Sequence, residues 1–133
     1  MASLTRDRTV LILALGDVAA FVAFGAIGMT SHEDGITFTT VARAVLVFPT
    51  VWLLLAPLAG AYSEDAVQGR FSLLRVVLIW VPIGVIALLV RAAVFDRRLF
   101  NAFFVVALIG DGLFITAWRA AYNRFLAPQL STG

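Results

Sequence analysis

Val10 to Met29 read VLILALGDVAAFVAFGAIGM, an apolar run that contains a single acid, Asp17, directly after Gly16. About 20 apolar residues rising 1.5 Å each cover the roughly 30 Å hydrocarbon core of a bilayer, so the run predicts a membrane-spanning helix. A carboxylate in such a helix costs roughly 2.5 to 3.5 kcal/mol on insertion scales, and acids at this depth usually face a polar interior. The stretch therefore predicts a membrane protein with a polar position inside its helix bundle.

The composition of the whole chain supports this interpretation. Of its 133 residues, 62% are hydrophobic and 14% are charged, which leaves too little polar surface for a soluble domain. The chain has no cysteine, and this excludes disulfides, thiolate metal sites and thiol nucleophiles. The net charge of +2 comes from a few arginines beside the apolar runs. That distribution is typical of membrane topology and not of a nucleic-acid-binding surface, so we expect no nucleic-acid partner.

Three further apolar runs follow the first. We predict membrane spans at about 10–29, 38–62, 71–95 and 101–122, joined by short polar segments. Pro128 is expected to prevent much further helix after the last span. The chain is thus predicted to be one all-α domain, residues 1–133, folded as an integral membrane four-helix bundle.

The arginines indicate the orientation of this bundle. Four spans place both termini on one side of the membrane. Six arginines fall on that side: Arg6, Arg8, Arg70, Arg75, Arg119 and Arg124. Four fall on the other: Arg43, Arg91, Arg97 and Arg98. The excess favours both termini in the cytoplasm and a place in the cytoplasmic membrane.

The Gly-Asp pair of the first span returns at Gly110-Asp111 in the last. Under this topology Asp17 and Asp111 are predicted to lie at similar depth, with Arg75 and Arg43 entering the bundle from opposite sides. We expect these four side chains to form a buried polar cluster, since pairing lowers the cost of charge at membrane depth. The cluster is either an ion-pair clamp that fixes helix register or a proton- or cation-coupled site. The repeated dipeptide also hints at an inverted repeat.

No motif for a metal, a cofactor or catalysis stands out. His32 is the only histidine and lies in a polar segment beside Glu33 and Asp34. A haem in a bundle needs a pair of histidines within the spans, and a catalytic zinc about three protein ligands. A solvated turn is therefore favoured over a metal site at His32. The sequence also lacks a phosphate-binding glycine loop and a credible Ser-His-Asp arrangement, so we expect no cofactor and no enzymatic activity.

Nearly the whole chain resembles a family of small four-span prokaryotic integral membrane proteins known as a domain of unknown function. The similar features lie in all four spans: Gly16-Asp17, Gly28 with Ser31-His32, Pro57, Arg91 and Trp118-Arg119. The resemblance implies the four-span architecture and marks a few positions for testing: Asp17, His32, Arg91, Trp118 and Arg119. It implies no particular activity.

The sequence favours a non-enzymatic accessory or structural subunit that docks to a larger membrane assembly or to itself. Ala19, Ala23 and Ala26 support this interpretation, because they form a small-residue stripe on the face of the first span away from Asp17. The expected partners are the lipid bilayer and other membrane-protein subunits. The alternative is a small proton- or cation-coupled transporter that acts as a homo-oligomer around Asp17 and Asp111. An enzyme acting on lipid ranks third, because no nucleophile–base pair is visible.

Overall fold

The computed structural model describes residues 2–30, 45–95 and 102–132, and these residues are almost entirely helical, with no strand among them. In chain order the helices are α1 (Ala2–Thr30), α2 (Val47–Leu55), the short α3 (Glu64–Val67), α4 (Leu73–Phe95), α5 (Ala102–Ala121) and α6 (Ala127–Thr132). A 3₁₀ turn, Ala56–Ala59, extends α2, and a π turn, Tyr122–Leu126, joins α5 to α6.

Three of the described segments are long and apolar enough to cross a membrane: Asp7–Ile27, Leu73–Val94 and Val105–Gln129. A shorter apolar segment, Val47–Ala59, falls within the second predicted span, whose first part lies outside the described residues. The predicted fold class is confirmed: the protein is an all-α integral membrane four-helix bundle.

The four long elements pack in a closed ring. Helices α1 and α4 lie on either side of α5, and α2 packs against both α1 and α4. Buried residues recur every four positions along α1, because side chains four residues apart lie on one side of a helix. That buried face consists of Leu13, Asp17, Phe21 and Gly25. Leucines and valines of α1, α2, α4 and α5 cover the outside, where lipid tails would contact them.

Aromatic rings fill the centre of the ring of helices. Phe21 of α1 packs against Trp52 of α2 and Trp80 of α4, with ring centroids 5.8 Å and 5.4 Å apart. Phe48 of α2 lies 6.1 Å from Trp80. All four side chains are nearly inaccessible. They form an apolar layer between the two Gly-Asp pairs of the chain.

The last helical segment continues beyond the end that Pro128 was expected to impose, since α6 extends to Thr132. The reason is the π turn, in which the N–H of Ala127 donates to the carbonyl of Tyr122, five residues back. This wider turn shifts the register of backbone hydrogen bonds. Pro128 then lies in the first turn of α6, where proline is tolerated.

Candidate functional site

A buried ion pair joins α1 to α5. Asp17 has 0% of its surface exposed and Arg119 has 1%. The Nε of Arg119 donates to Asp17 Oδ1 at 2.9 Å, and Nη2 donates to Oδ2 at 2.7 Å. This two-pronged geometry is the strongest arrangement available to an arginine and a carboxylate. The pair therefore fixes the register of α1 against α5.

Two more donors to Asp17 come from α2 and from the turn that follows it. Trp52 Nε1 donates to Asp17 Oδ2 at 3.0 Å, and the Tyr62 hydroxyl donates to the same oxygen. The Nη1 of Arg119 donates to the carbonyl of Ala61 at 2.8 Å. The guanidinium also lies over the Tyr62 ring, with its Cζ 5.1 Å from the ring centroid. Each charge thus has several polar partners, as charges removed from water require.

A tight turn brings Ala61 and Tyr62 to this pair. Pro57 is the second residue of the 3₁₀ turn that follows α2, and Gly60 ends this turn in the left-handed region with φ of 87°. The N–H of Ala61 then donates to the carbonyl of Ala56 at 3.1 Å. Glycine suits this position because the left-handed conformation is costly for residues with a Cβ. The turn reverses the chain so that residues 61 and 62 point back into the bundle.

The glycine of each Gly-Asp pair receives an aromatic ring from the opposite helix. A Cβ on Gly16 would lie 1.9 Å from the ring of Trp118, and one on Gly110 would lie 2.1 Å from the ring of Phe24. Trp118 also donates its Nε1 proton to the carbonyl of Leu13 at 3.3 Å. The missing side chains therefore let α1 and α5 approach closely at two levels.

Asp111 is buried in a very different environment. It is 1% exposed, and neither of its carboxylate oxygens has a hydrogen-bond partner in the described part of the chain. A Cβ on the next residue, Gly112, would lie 2.8 Å from the Trp80 ring. The Nε1 of Trp80 is already committed to the carbonyl of Leu108, at 2.8 Å. Asp111 therefore lies among apolar and aromatic groups, and no described residue supplies it with a counter-charge.

The structure does not bring the two acids together as the sequence had suggested. Asp111 precedes Arg119 by eight residues, which is about 12 Å along α5, whereas Asp17 is in contact with Arg119. The reason is the antiparallel register, which sets Gly16 against Trp118 and Gly110 against a ring further along α1. Two separate polar sites take the place of one cluster.

Arg75 does not join either acid. It is exposed on the outward face of α4, with its Cζ 4.4 Å from the centroid of the Phe71 ring. Arg91 is buried, with 8% of its surface exposed, near the C-terminal end of α4. Arg43 and His32 lie outside the described residues. Of the arginines proposed from the sequence, the one that meets Asp17 is Arg119, which the family resemblance had marked.

Trp52 and Tyr62 were not identified from the sequence as partners of Asp17. Trp52 lies in an apolar run, and nothing in its neighbours distinguishes a packing tryptophan from a hydrogen-bond donor. Tyr62 carried a usable signal, because Gly60 marks a chain reversal just before it. A reversal at that point returns the tyrosine toward the helices that precede it.

Comparison with known proteins adds the family. No curated protein and no solved structure shows significant similarity to the chain. A family model described as a protein of unknown function, DUF3054, matches residues 14–122, a range that contains Asp17, Asp111 and Arg119. Because the match covers well over half of the sequence, the chain belongs to the DUF3054 family.

Proposed function

We propose that this protein is a small non-enzymatic subunit of a larger assembly in the cytoplasmic membrane, and that it docks through the outward face of α1. One observation carries the proposal: Ala19, Ala23 and Ala26 are all exposed on α1, on the side away from the buried Asp17. Small residues at a helix surface allow a second helix to approach closely within a membrane.

The exposed face of α1 differs between its two halves. In the first half of α1 the same outward face carries Leu11 and Leu15, which are 58% and 59% exposed. Large aliphatic side chains of this kind are sufficient for contact with lipid tails. The change from leucine to alanine along one face is what a helix–helix interface would need and what lipid alone does not require.

The hydrogen bonding around Asp17 supports a structural role over a catalytic one. The carboxylate accepts bonds from Arg119, Trp52 and Tyr62, and it is inaccessible from outside the bundle. A general base or nucleophile must reach a substrate, usually within about 3 Å. These side chains are instead committed to holding the helices together.

The proposal is tested by adding bulk to the stripe. Ala19→Leu with Ala23→Leu should release the protein from its assembly without unfolding it, since extra methyl groups in contact with lipid cost little. The measurement is the native mass in mild detergent or native lipid, together with the thermal unfolding temperature. Ala93→Leu with Ala117→Leu is the matched control, because these alanines are also exposed but lie on α4 and α5.

Three results would count against docking through α1. If the stripe variant keeps the same native mass as the parent protein, the face contacts only lipid. If it unfolds while the control variant remains folded, the stripe packs inside the protein. A native mass equal to that of the monomer for the parent protein would show that there is no assembly to dock to.

The alternative function is a small proton- or cation-coupled transporter that acts as a homo-oligomer. It is favoured by Asp111, a buried acid with no hydrogen-bond partner among the described residues. Buried acids of this kind are a feature of proton pathways in membrane proteins. A bare homo-oligomer, with proton-linked uptake into vesicles that Asp111→Asn abolishes, would favour transport over the subunit role. Asp17 is a poorer candidate for coupling because Arg119 holds it as an ion pair.

A further inference from the structure

The two Gly-Asp pairs occupy reciprocal positions in the antiparallel α1–α5 pair. Gly16 receives the ring of Trp118, and Gly110 receives the ring of Phe24. Phe24 comes eight residues after Gly16, and Trp118 comes eight residues after Gly110. Each helix therefore contributes the same set of parts, a Gly-Asp pair and an aromatic ring eight residues later, to a common packing motif.

The residue that follows each ring distinguishes the two copies. After the ring on α5 comes Arg119, which binds Asp17 through two hydrogen bonds. After the ring on α1 comes Gly25, which is buried and has no side chain. The position that supplies an arginine to Asp17 thus supplies nothing to Asp111.

The tryptophans of the neighbouring helices also distinguish the two sites, because one donates to its aspartate and the other does not. Trp52 of α2 donates its Nε1 proton to Asp17 at 3.0 Å. Trp80 of α4 lies against the residue that follows Asp111, but its Nε1 proton goes to the carbonyl of Leu108 at 2.8 Å. Within the described helices, Asp111 therefore has neither a cation nor a neutral donor like those that bind Asp17.

No other charged group of the described helices replaces them. On α4, Arg75 and Arg91 come five residues before and eleven residues after Trp80, or about 8 and 16 Å along the helix. The ionisable side chains described on α1 are Asp7, Arg8 and Asp17. On α5, Arg119 is described besides Asp111 itself, and Arg124 follows in the π turn. The apolar segment Val47–Ala59 contains no ionisable side chain. The Asp111 oxygens form no hydrogen bond with any of these groups.

We infer that Asp111 is a proton-binding site: it is a neutral carboxylic acid in the membrane at neutral pH. It releases its proton to water or to a base only when α5 separates locally from α1 or α4. An unpaired carboxylate surrounded by apolar groups is costly, and binding a proton removes the charge. A metal ion would require several oxygen ligands, and the described residues contain no group of three or more His, Cys, Asp or Glu side chains that could hold one.

This inference deepens the transport alternative and does not depend on docking through α1. It is tested by infrared absorption of the full-length protein in lipid vesicles at neutral pH. A protonated carboxyl group gives a C=O band that a carboxylate does not give. We expect this band in the parent protein, its loss in Asp111→Asn and its retention in the matched control Asp65→Asn, whose side chain is exposed. Gly25→Arg supplies the missing arginine and should also remove the band by ionising Asp111.

The site is disproved if the parent protein lacks the band at neutral pH, or if the band persists in Asp111→Asn. A band that appears only after sodium and potassium are withdrawn would identify a cation site and overturn the inference. If Asp111→Asn does not fold, Asp111→Glu provides a second test because it keeps an acid at this position. The C=O band should then shift in frequency, and an unshifted band would count against the inference that Asp111 binds a proton. The docking proposal is measured by native mass, and its failure is therefore distinct from failure here.

Discussion

Asp17 and Asp111 are both buried aspartates, but their surroundings differ. The Asp17 carboxylate accepts hydrogen bonds from Arg119, Trp52 and Tyr62. Asp111 is equally inaccessible but has no donor in the described part of the chain. Removing a charge from water requires either polar partners or neutralisation. Asp17 has polar partners, and the proton that we infer on Asp111 neutralises that carboxylate.

This difference predicts a large effect of Asp17→Asn on stability. The substitution leaves the buried Arg119 guanidinium without its counter-charge, and breaking a buried pair in this way costs about 3 to 5 kcal/mol. The unfolding temperature in detergent should fall clearly. Asp65→Asn removes one member of the exposed Asp65–Arg70 pair, whose side chains are 55% and 63% accessible, and should have a small effect. Equal effects of the two substitutions would contradict a clamp at Asp17.

At the scale of helices, the α1–α5 contact depends on glycines that accept rings from the opposite helix. Trp118 occupies the space where a Gly16 side chain would lie. The same ring donates a hydrogen bond to the Leu13 carbonyl, so it cannot turn away without losing that bond. The contact is therefore specific to this pair of residues and not a general consequence of small size.

A double-mutant cycle measures this specificity. Gly16→Ala should lower the free energy of unfolding by about 1 to 3 kcal/mol, because the new Cβ overlaps the ring of Trp118. In a Trp118→Ala background the ring is absent, and the same change should cost much less. The two losses should thus be strongly non-additive in thermal or chemical unfolding. Additive losses would mean that the overlap is relieved elsewhere.

The sequence predicted helices better than it predicted contacts between them. An apolar run such as 10–29 predicts a spanning helix from local composition, and α1, α4 and α5 each include most of a predicted span. The partner of Asp17 depends on how each helix is rotated about its axis. Arg75 and Arg119 both lie near the predicted inner ends of spans, but α4 turns Arg75 outward and α5 turns Arg119 inward. The position of a residue within its predicted span does not show how the helix is rotated about its axis.

At the scale of the whole molecule, one end of the bundle is closed by the segment between α2 and α4. The Tyr122 hydroxyl donates to the carbonyl of Val67 at 2.6 Å, and the Asn123 amide donates to the carbonyl of Phe71 at 3.0 Å. These bonds tie the π turn after α5 to the connection around α3. The Asp17–Arg119 pair lies just inside this closed end, next to the hydrogen bonds of Tyr122 and Asn123.

The same end carries exposed arginines, and these lead to a prediction about topology. The described arginines exposed there are Arg8, Arg70, Arg75 and Arg124. Exposed arginines close to the ends of spans favour the cytoplasmic side. A reporter enzyme that is active only outside the cytoplasm should therefore remain silent when fused after Gly133. A fusion after Arg98, in the connection before the last span, should be active and serves as the control. Activity at Gly133 with silence at Arg98 would reverse the orientation, and it would place the closed end and its ion pair toward the outside.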